Sequence, residues 1–183
     1  TFLGDFGAIP EYAETFAVKH NIILSSLSQI SETLCILLIP FFLKRYGIKI
    51  VMLIAILAWC LRFGFFAIGD PGNGVWLFIL SMIVYGVAFD FFNISGSLFV
   101  EKETDSNIRS SAQGVFMMMT NGLGATVGSF CAQEIVNRCA YIYDATDPLR
   151  MNGWSNAWYI FSGFALVVAI AFVFLFKYKH VRE

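Results

Sequence analysis

The sequence predicts an all-α, polytopic transmembrane helical bundle, on the grounds of its composition and its long apolar runs. Of the 183 residues, 58% are hydrophobic and 14% are charged, and the mean hydropathy is +0.71. A soluble domain has about 45–50% apolar and about 25% charged residues. An aqueous fold could not cover 20 phenylalanines. Because lipid offers backbone groups no water, the membrane spans must be helices.

Apolar runs long enough to cross a bilayer, which takes about 20 residues, occur five times. They cover residues 21–43, 48–68, 75–100, 111–135 and 154–176. The second and third runs are joined by "GDPGNG", whose residues favour turns and so predict a short link. The fourth run contains "GATVG", a G-x-x-x-G pattern that predicts close packing with another helix of the same chain.

The basic residues between the runs predict the orientation. The larger group lies at one end of the spans: Lys44, Arg45, Lys49, Lys102, Arg109, Lys177, Lys179 and Arg182. The smaller group, Lys19, Arg138 and Arg150, lies at the other end. The positive-inside rule makes the larger group cytoplasmic, so the first, third and fifth spans run inward. It also places the C-terminus in the cytoplasm, and Trp76 and Trp154 at the outer interface.

Several other classes of protein fit poorly. A net charge of −1 leaves no electrostatic footprint for nucleic acid. The four cysteines are scattered and form no C-x-x-C pair, so neither a zinc site nor a disulfide framework is expected. The chain opens on Thr1 without a signal peptide, and we expect it to be a fragment of a longer protein.

Three ionisable residues lie deep within the predicted spans, away from their ends: Glu32, Arg62 and Asp90. Such residues are costly in a bilayer and usually face a protein interior or a water-filled cavity. At a rise of about 1.5 Å per residue, both carboxylates come near the midplane. The midplane is where transporters bind their substrates, so these carboxylates predict a substrate site.

The neighbours of the two carboxylates extend this prediction. Gln29 and Glu32 are three residues apart and share a helix face. Asp90 belongs to a polar face, Gly86, Asp90, Asn93 and Ser97, beside an aromatic ridge, Tyr85, Phe89 and Phe92. A polar face beside aromatic rings suits a ligand that has a flat apolar part and a hydroxylated part.

Plainer structural explanations exist for each of these residues. Glu32 or Asp90 could be the buried ion-pair partner of Arg62, or Arg62 could extend its charge to the outer surface. The aromatic ridge could be ordinary core packing. An aspartyl intramembrane protease would need a Gly-x-Gly-Asp motif, which is missing, so an enzyme is not expected.

Four stretches of the chain resemble a known family: "QISETLCILLIPFFLKRYGIK", "SMIVYGVAFDFFNISGS", "FVEKE" and "FKYKHVR". They are similar to the C-terminal half of the bacterial nucleoside:proton symporters, a branch of the major facilitator superfamily. The resemblance covers residues 1–183 and implies a twelve-helix fold in two six-helix halves. Residues 1–6 would then end helix seven, and the five spans would be helices eight to twelve.

The resemblance implies proton-coupled nucleoside uptake across the bacterial cytoplasmic (inner) membrane by alternating access. Gln29 and Glu32 would hydrogen-bond the nucleoside, and Tyr85, Phe89 and Asp90 would line the facing helix. Asp90 is the first candidate for the coupling proton, and Glu32 is the second. No metal and no cofactor beyond the proton is implied. The expected partners are the nucleoside, the lipid bilayer and the N-terminal six-helix half.

Two other functions stay open at this point. One is a major facilitator symporter for sugars or oligosaccharides, because sugar sites also combine carboxylates, amides and a stacked aromatic ring. The other is a membrane assembly or receptor component that transports nothing. The midplane carboxylates argue against the second, because a scaffold gains nothing from them.

Overall fold

A computed structural model of the chain describes residues 2–178, and every regular element in that range is a helix. The elements are α1 Phe2–Asp5, a 3-10 turn Phe6–Ala8, α2 Phe16–Lys19, α3 Asn21–Ile68, α4 Val75–Glu103, α5 Arg109–Met117, π-helical turns Met118–Gly124, α6 Ala125–Cys139 and α7 Leu149–Leu175. The predicted all-α fold is confirmed. Lys179 and Arg182 of the basic group lie outside the described residues.

Helix α3 contains both of the first two predicted spans. A straight helix of 48 residues would be about 72 Å long, against a hydrocarbon core of about 30 Å. Gly47 interrupts it with φ 77 and ψ 169, a backbone conformation that residues with a side chain rarely adopt. We call residues 21–46 the first arm and residues 48–68 the second arm. The chain turns back at Gly47, because Ile39 and Val51 belong to one buried cluster.

Four helical runs of the described chain are long and apolar enough to cross a membrane: α3, α4, the continuous run Arg109–Cys139, and α7. Five spans were predicted, and the difference lies in α3, where the first two are joined through Gly47. The predicted short link before α4 is present. Its turn is held by the Asp70 carboxylate, which accepts hydrogen bonds from the backbone N–H of Gly72 at 2.7 Å and of Gly74 at 3.0 Å.

The main core lies where α1 meets the C-terminal end of α3, the start of α4 and the first half of α7. The Phe2 ring makes edge-on contacts with several neighbouring rings at centroid distances of 5.1 to 5.5 Å. These neighbours are Phe6, Phe66, Phe78, Trp154 and Trp158. Edge-to-face pairs of this kind add stability beyond the area they bury. The short α1 thereby fixes the second arm of α3 relative to α7.

The run Arg109–Cys139 is the least covered part of the described bundle. Leu123, Val127 and Phe130 are 55%, 60% and 75% exposed. Gly128 has open space around it, with no atom within 4 Å of the position a Cβ would occupy. The close packing predicted for the G-x-x-x-G pattern is therefore absent among residues 2–178.

Candidate functional site

The predicted site lies where the first arm of α3 crosses α4. Gly86 makes this crossing possible, because a Cβ there would lie 2.6 Å from the carbonyl carbon and oxygen of Ser31 and 2.8 Å from the amide nitrogen of Glu32. The Ser31 hydroxyl donates a hydrogen bond to the Ile83 carbonyl oxygen. One turn away, the Ser28 hydroxyl donates to the Met82 sulfur at 3.0 Å. The two helices are thus in backbone contact beside Glu32.

The two carboxylates lie on the two helices of this crossing: Glu32 follows Ser31, which touches Gly86, and Asp90 lies one turn beyond Gly86 on α4. Asp90 is buried, with 8% of its surface exposed, and its Oδ2 has no hydrogen-bond partner among the described residues. Glu32 is half-buried. A buried carboxylate oxygen without a donor is expensive, so Asp90 stands out as a functional candidate.

The aromatic ridge forms in part. The rings of Tyr85 and Phe89 stack with a centroid distance of 5.6 Å and an interplanar angle of 20°, and both are half-buried. Trp59 meets Tyr85 edge-on at 5.8 Å. Phe92 instead packs against the buried cluster that contains Phe91. The ridge next to the carboxylates therefore consists of Tyr85 and Phe89.

Arg62 is neither an ion-pair partner of Asp90 nor a surface residue. Among the described carboxylates, none comes within 4 Å of its guanidinium nitrogens. Its Nη1 is buried and has no hydrogen-bond acceptor within that range of residues. Its guanidinium carbon lies 4.1 Å from the centroid of the Tyr85 ring, with the rings of Trp59 and Phe66 at 5.6 and 5.4 Å. Aromatic faces surround the cation in place of a carboxylate.

The other predicted polar residues, Gln29, Asn93 and Ser97, do not form one group in the structure. Gln29 is exposed, one turn before Glu32. Asn93 donates a hydrogen bond to the Phe89 carbonyl of its own helix at 2.9 Å. Ser97 belongs to a contact with α5, in which its hydroxyl donates to the Gln113 side-chain oxygen at 2.9 Å and its carbonyl accepts from the Gln113 amide at 2.7 Å. The polar face predicted along α4 is thus divided, because Asn93 and Ser97 bond to partners away from the crossing.

A polar network between α1 and the start of α7 was missed by the sequence analysis. Arg150 makes two hydrogen bonds to the Asp5 carboxylate, at 2.7 and 2.8 Å, and the Trp154 indole donates to the same carboxylate at 2.6 Å. Arg150 also donates to the Tyr143 carbonyl at 2.9 Å. Trp154 is only 6% exposed, so its ring packs inside the bundle and does not face lipid. Its counterpart Trp76 is 56% exposed.

Within residues 2–178, no group of three or more His, Cys, Asp or Glu side chains is placed to hold a metal ion. A surface depression of about 520 Å³ runs along α6, lined by Ala125, Thr126, Ser129, Phe130 and Gln133. All of these belong to one helix, so the depression has no opposite wall. It includes none of the predicted site residues.

Comparison with known proteins identifies the family. The family described as "Nucleoside H+ symporter" matches residues 1–181. The chain belongs to this family. The chain is 56% identical over 183 residues to a xanthosine permease of Escherichia coli K12, and 55% identical over 186 residues to the nucleoside permease NupG of the same organism. Each match covers 100% of the chain and 42% of the relative.

Solved structures agree with these nucleoside H+ symporter relatives. The crystal structure of the nucleoside transporter NupG matches with a TM-score of 0.85 and 54% identity, over 97% of this chain and 42% of that one. The crystal structure of an aspartate-to-alanine mutant of NupG matches with a TM-score of 0.87 and 52% identity, over 96% and 42%. The chain therefore has the fold of part of a multi-pass membrane transporter, and it spans 42% of the length of these relatives.

Proposed function

We propose that this chain is part of a transporter that carries nucleosides inward with protons. The named relatives are a xanthosine permease and a nucleoside permease, which favours nucleosides over sugars as the cargo. Because both relatives are named as permeases, a transport function is also favoured over that of a receptor or an assembly component. The relatives are transporters, and no enzymatic chemistry is required of the chain.

The observation that carries the proposal is the group of side chains at the crossing of α3 and α4. The half-buried stacked pair Tyr85 and Phe89 lies beside the helix crossing that holds Glu32, and Phe89 precedes the buried Asp90. The ring faces would stack on the flat nucleobase, and Gln29 and Glu32 would hydrogen-bond the base or the ribose hydroxyls. Sites of this kind combine apolar walls with a few polar groups that fix the ligand's orientation.

The coupling proton would bind at this carboxylate pair. Two carboxylates that lie close together repel each other when both are ionised, and Asp90 has no donor that stabilises its buried Oδ2 among the described residues. A proton on Asp90 would remove both penalties at once. Nucleoside binding to Glu32 and proton binding to Asp90 would then depend on each other. Glu32 is the second candidate for the proton.

The membrane arrangement completes the proposal. The two arms of α3 would cross the membrane separately on either side of Gly47, so that residues 1–183 supply five spans and the end of a sixth. Together these would form the C-terminal half of a twelve-helix transporter of the bacterial cytoplasmic membrane, with the C-terminus in the cytoplasm. An N-terminal six-helix half would supply the other wall of the site. Alternating access would arise from movement of the two halves about the substrate.

The test is uridine uptake by the full-length transporter in proteoliposomes, with and without an inward proton gradient. We expect uridine to accumulate with the gradient and to equilibrate without it. A tenfold excess of unlabelled nucleoside should abolish the signal, and the same excess of a disaccharide should not. Uptake that a disaccharide blocks and nucleosides leave unchanged would contradict the proposal, as would gradient-independent accumulation.

A further inference from the structure

Arg62 occupies an unusual position beside the proposed site, on the second arm of α3. Its guanidinium lies over the Tyr85 ring at 4.1 Å and is flanked by Trp59 and Phe66 at 5.6 and 5.4 Å. Its Nη1 is buried and lacks an acceptor among residues 2–178. With Nη1 enclosed in this way, the nearest group through which Arg62 can act on the site is the ring of Tyr85.

Two contacts tie Arg62 to the same face of α4. The Ser81 hydroxyl donates a hydrogen bond to the Arg62 carbonyl oxygen at 3.1 Å, and the Arg62 guanidinium covers the ring of Tyr85. Ser81 and Tyr85 are four residues apart, which is the spacing of neighbours on one helix face. Backbone and side chain of Arg62 therefore hold one turn of α4 against the second arm of α3.

Tyr85 connects Arg62 to the proposed site, because its ring contacts both Arg62 and Phe89. The same ring stacks on Phe89 at 5.6 Å. Tyr85 also precedes Gly86, whose backbone touches that of Glu32 on the first arm of α3. A shift of the guanidinium would thus move the aromatic pair beside Glu32.

We propose that Arg62 is a positioning residue for nucleoside binding: by its cation–π contact it holds the Tyr85 ring where Tyr85 and Phe89 can stack on the base, and it does not touch the substrate. Cation–π contacts are stronger when the cation is removed from water, as here. This inference rests on the proposed nucleoside function, and it adds to the site a residue that contacts Tyr85 and not the nucleoside.

The test uses the full-length transporter and measures uridine affinity, the KM and maximal rate of uptake, and the melting temperature of each purified variant. Arg62→Gln removes the charge, and Arg62→Lys keeps the charge but loses the planar guanidinium. We expect Arg62→Gln to bind uridine roughly tenfold more weakly, with KM rising more than the maximal rate falls, and Arg62→Lys to show a smaller loss. Arg138→Gln is the matched control, because Arg138 is exposed and pairs with Glu134 one turn away on the same helix; this variant should bind uridine as the wild type does.

A double-mutant cycle with Tyr85→Leu separates positioning from general stability. If Arg62 acts through the Tyr85 ring, Arg62→Gln should weaken uridine binding no further once that ring is gone. Additive losses of uridine affinity in the double mutant would overturn the inference, and so would wild-type uridine affinity in folded Arg62→Gln.

Should Arg62→Gln fail to fold, wild-type uridine affinity in Arg62→Lys would overturn the inference equally. A wild-type transporter that binds no uridine would overturn the proposed function and this inference together, whereas unchanged variants beside a binding wild type overturn the inference alone.

Discussion

Gly86 of α4 and Ser31 of α3 are in backbone contact, and this contact sets the geometry of the proposed site. A Cβ on Gly86 would lie 2.6 Å from the Ser31 carbonyl, closer than carbon atoms can approach. Glu32 follows Ser31, and Tyr85 precedes Gly86. The distance between a carboxylate on one helix and the aromatic pair on the other therefore depends on the absence of one side chain.

Gly86→Ala should force the two helices apart at this point. Overpacking of a tight contact costs about 1–3 kcal/mol, so we expect a lower melting temperature together with weaker uridine binding by the full-length transporter. Gly163→Ala is the control, because nothing lies within 4 Å of its Cβ position. It should leave both quantities unchanged. If Gly86→Ala and Gly163→Ala had the same melting temperature and the same uridine affinity, close packing at Gly86 would not set the geometry of the site.

The Asp5–Arg150 pair should stabilise the packing of α1 against α7. The side chains of Arg150 and Asp5 are 12% and 18% exposed, and breaking a pair shielded in this way costs on the order of 3 kcal/mol. We expect Arg150→Gln to lower the melting temperature markedly and to leave uridine affinity of the surviving folded protein unchanged. The exposed pair Arg138–Glu134 provides the control, since its loss costs roughly 0.3–0.5 kcal/mol. A stability loss in Arg138→Gln as large as that in Arg150→Gln would refute this account.

The spans and the candidate carboxylates could be predicted from the sequence because the bilayer imposes a one-dimensional rule. A run of apolar residues must be helical in lipid, and a carboxylate inside such a run is conspicuous. The turn before α4 was equally local, since Asp70 bonds to amides two and four residues away. Features that depend on neighbours in the chain were therefore visible in advance.

Contacts between distant residues could not be predicted in the same way. Asp5 and Arg150 are separated by 145 positions, and no periodicity links them. Arg150 was assigned as a topology marker, and Trp154 was expected at the interface, because both types are common there. Arg62 was expected to pair with a carboxylate or to reach the surface, and its three aromatic neighbours depend on how α3 folds back at Gly47.

Topology can be measured with single cysteines in a cysteine-free full-length transporter. We expect positions Asn73 and Asp144 to react with an impermeant thiol reagent in intact cells, and positions Lys44 and Lys102 to react only after the membrane is opened. The physical reason is the concentration of basic residues at the cytoplasmic ends. Strong labelling of position 102 from outside would reverse the orientation proposed here. Labelling of positions 44 and 73 from the same side would show that the second arm of α3 does not cross the membrane.

Glu32 and Gln29 should be required for nucleoside binding. Glu32→Gln keeps the size and removes the charge, whereas Glu32→Ala also leaves polar neighbours without a partner. We expect both variants, and Gln29→Ala, to lose most uridine affinity by isothermal calorimetry while the melting temperature stays near that of the wild type. Glu134→Gln serves as the control, since Glu134 lies on exposed α6. Undiminished affinity in Glu32→Ala would remove Glu32 from the site.

Asp90→Asn should separate proton coupling from nucleoside binding. Asparagine is a neutral mimic of the protonated carboxyl, so the variant should behave as though the proton never leaves. We expect accumulation of uridine against its gradient to vanish, while uridine exchange and binding persist.

The alternative, in which Asp90 only neutralises Arg62, predicts an unstable Asp90→Asn protein whose stability Arg62→Gln restores. The structure argues against it, because Asp90 makes no ion pair within 4 Å in the described chain. The three variants Asp90→Asn, Arg62→Gln and the double mutant should therefore show no mutual rescue of the melting temperature. A stable Asp90→Asn transporter that still concentrates uridine at the full rate would transfer the coupling role to another group, with Glu32 the next residue to test.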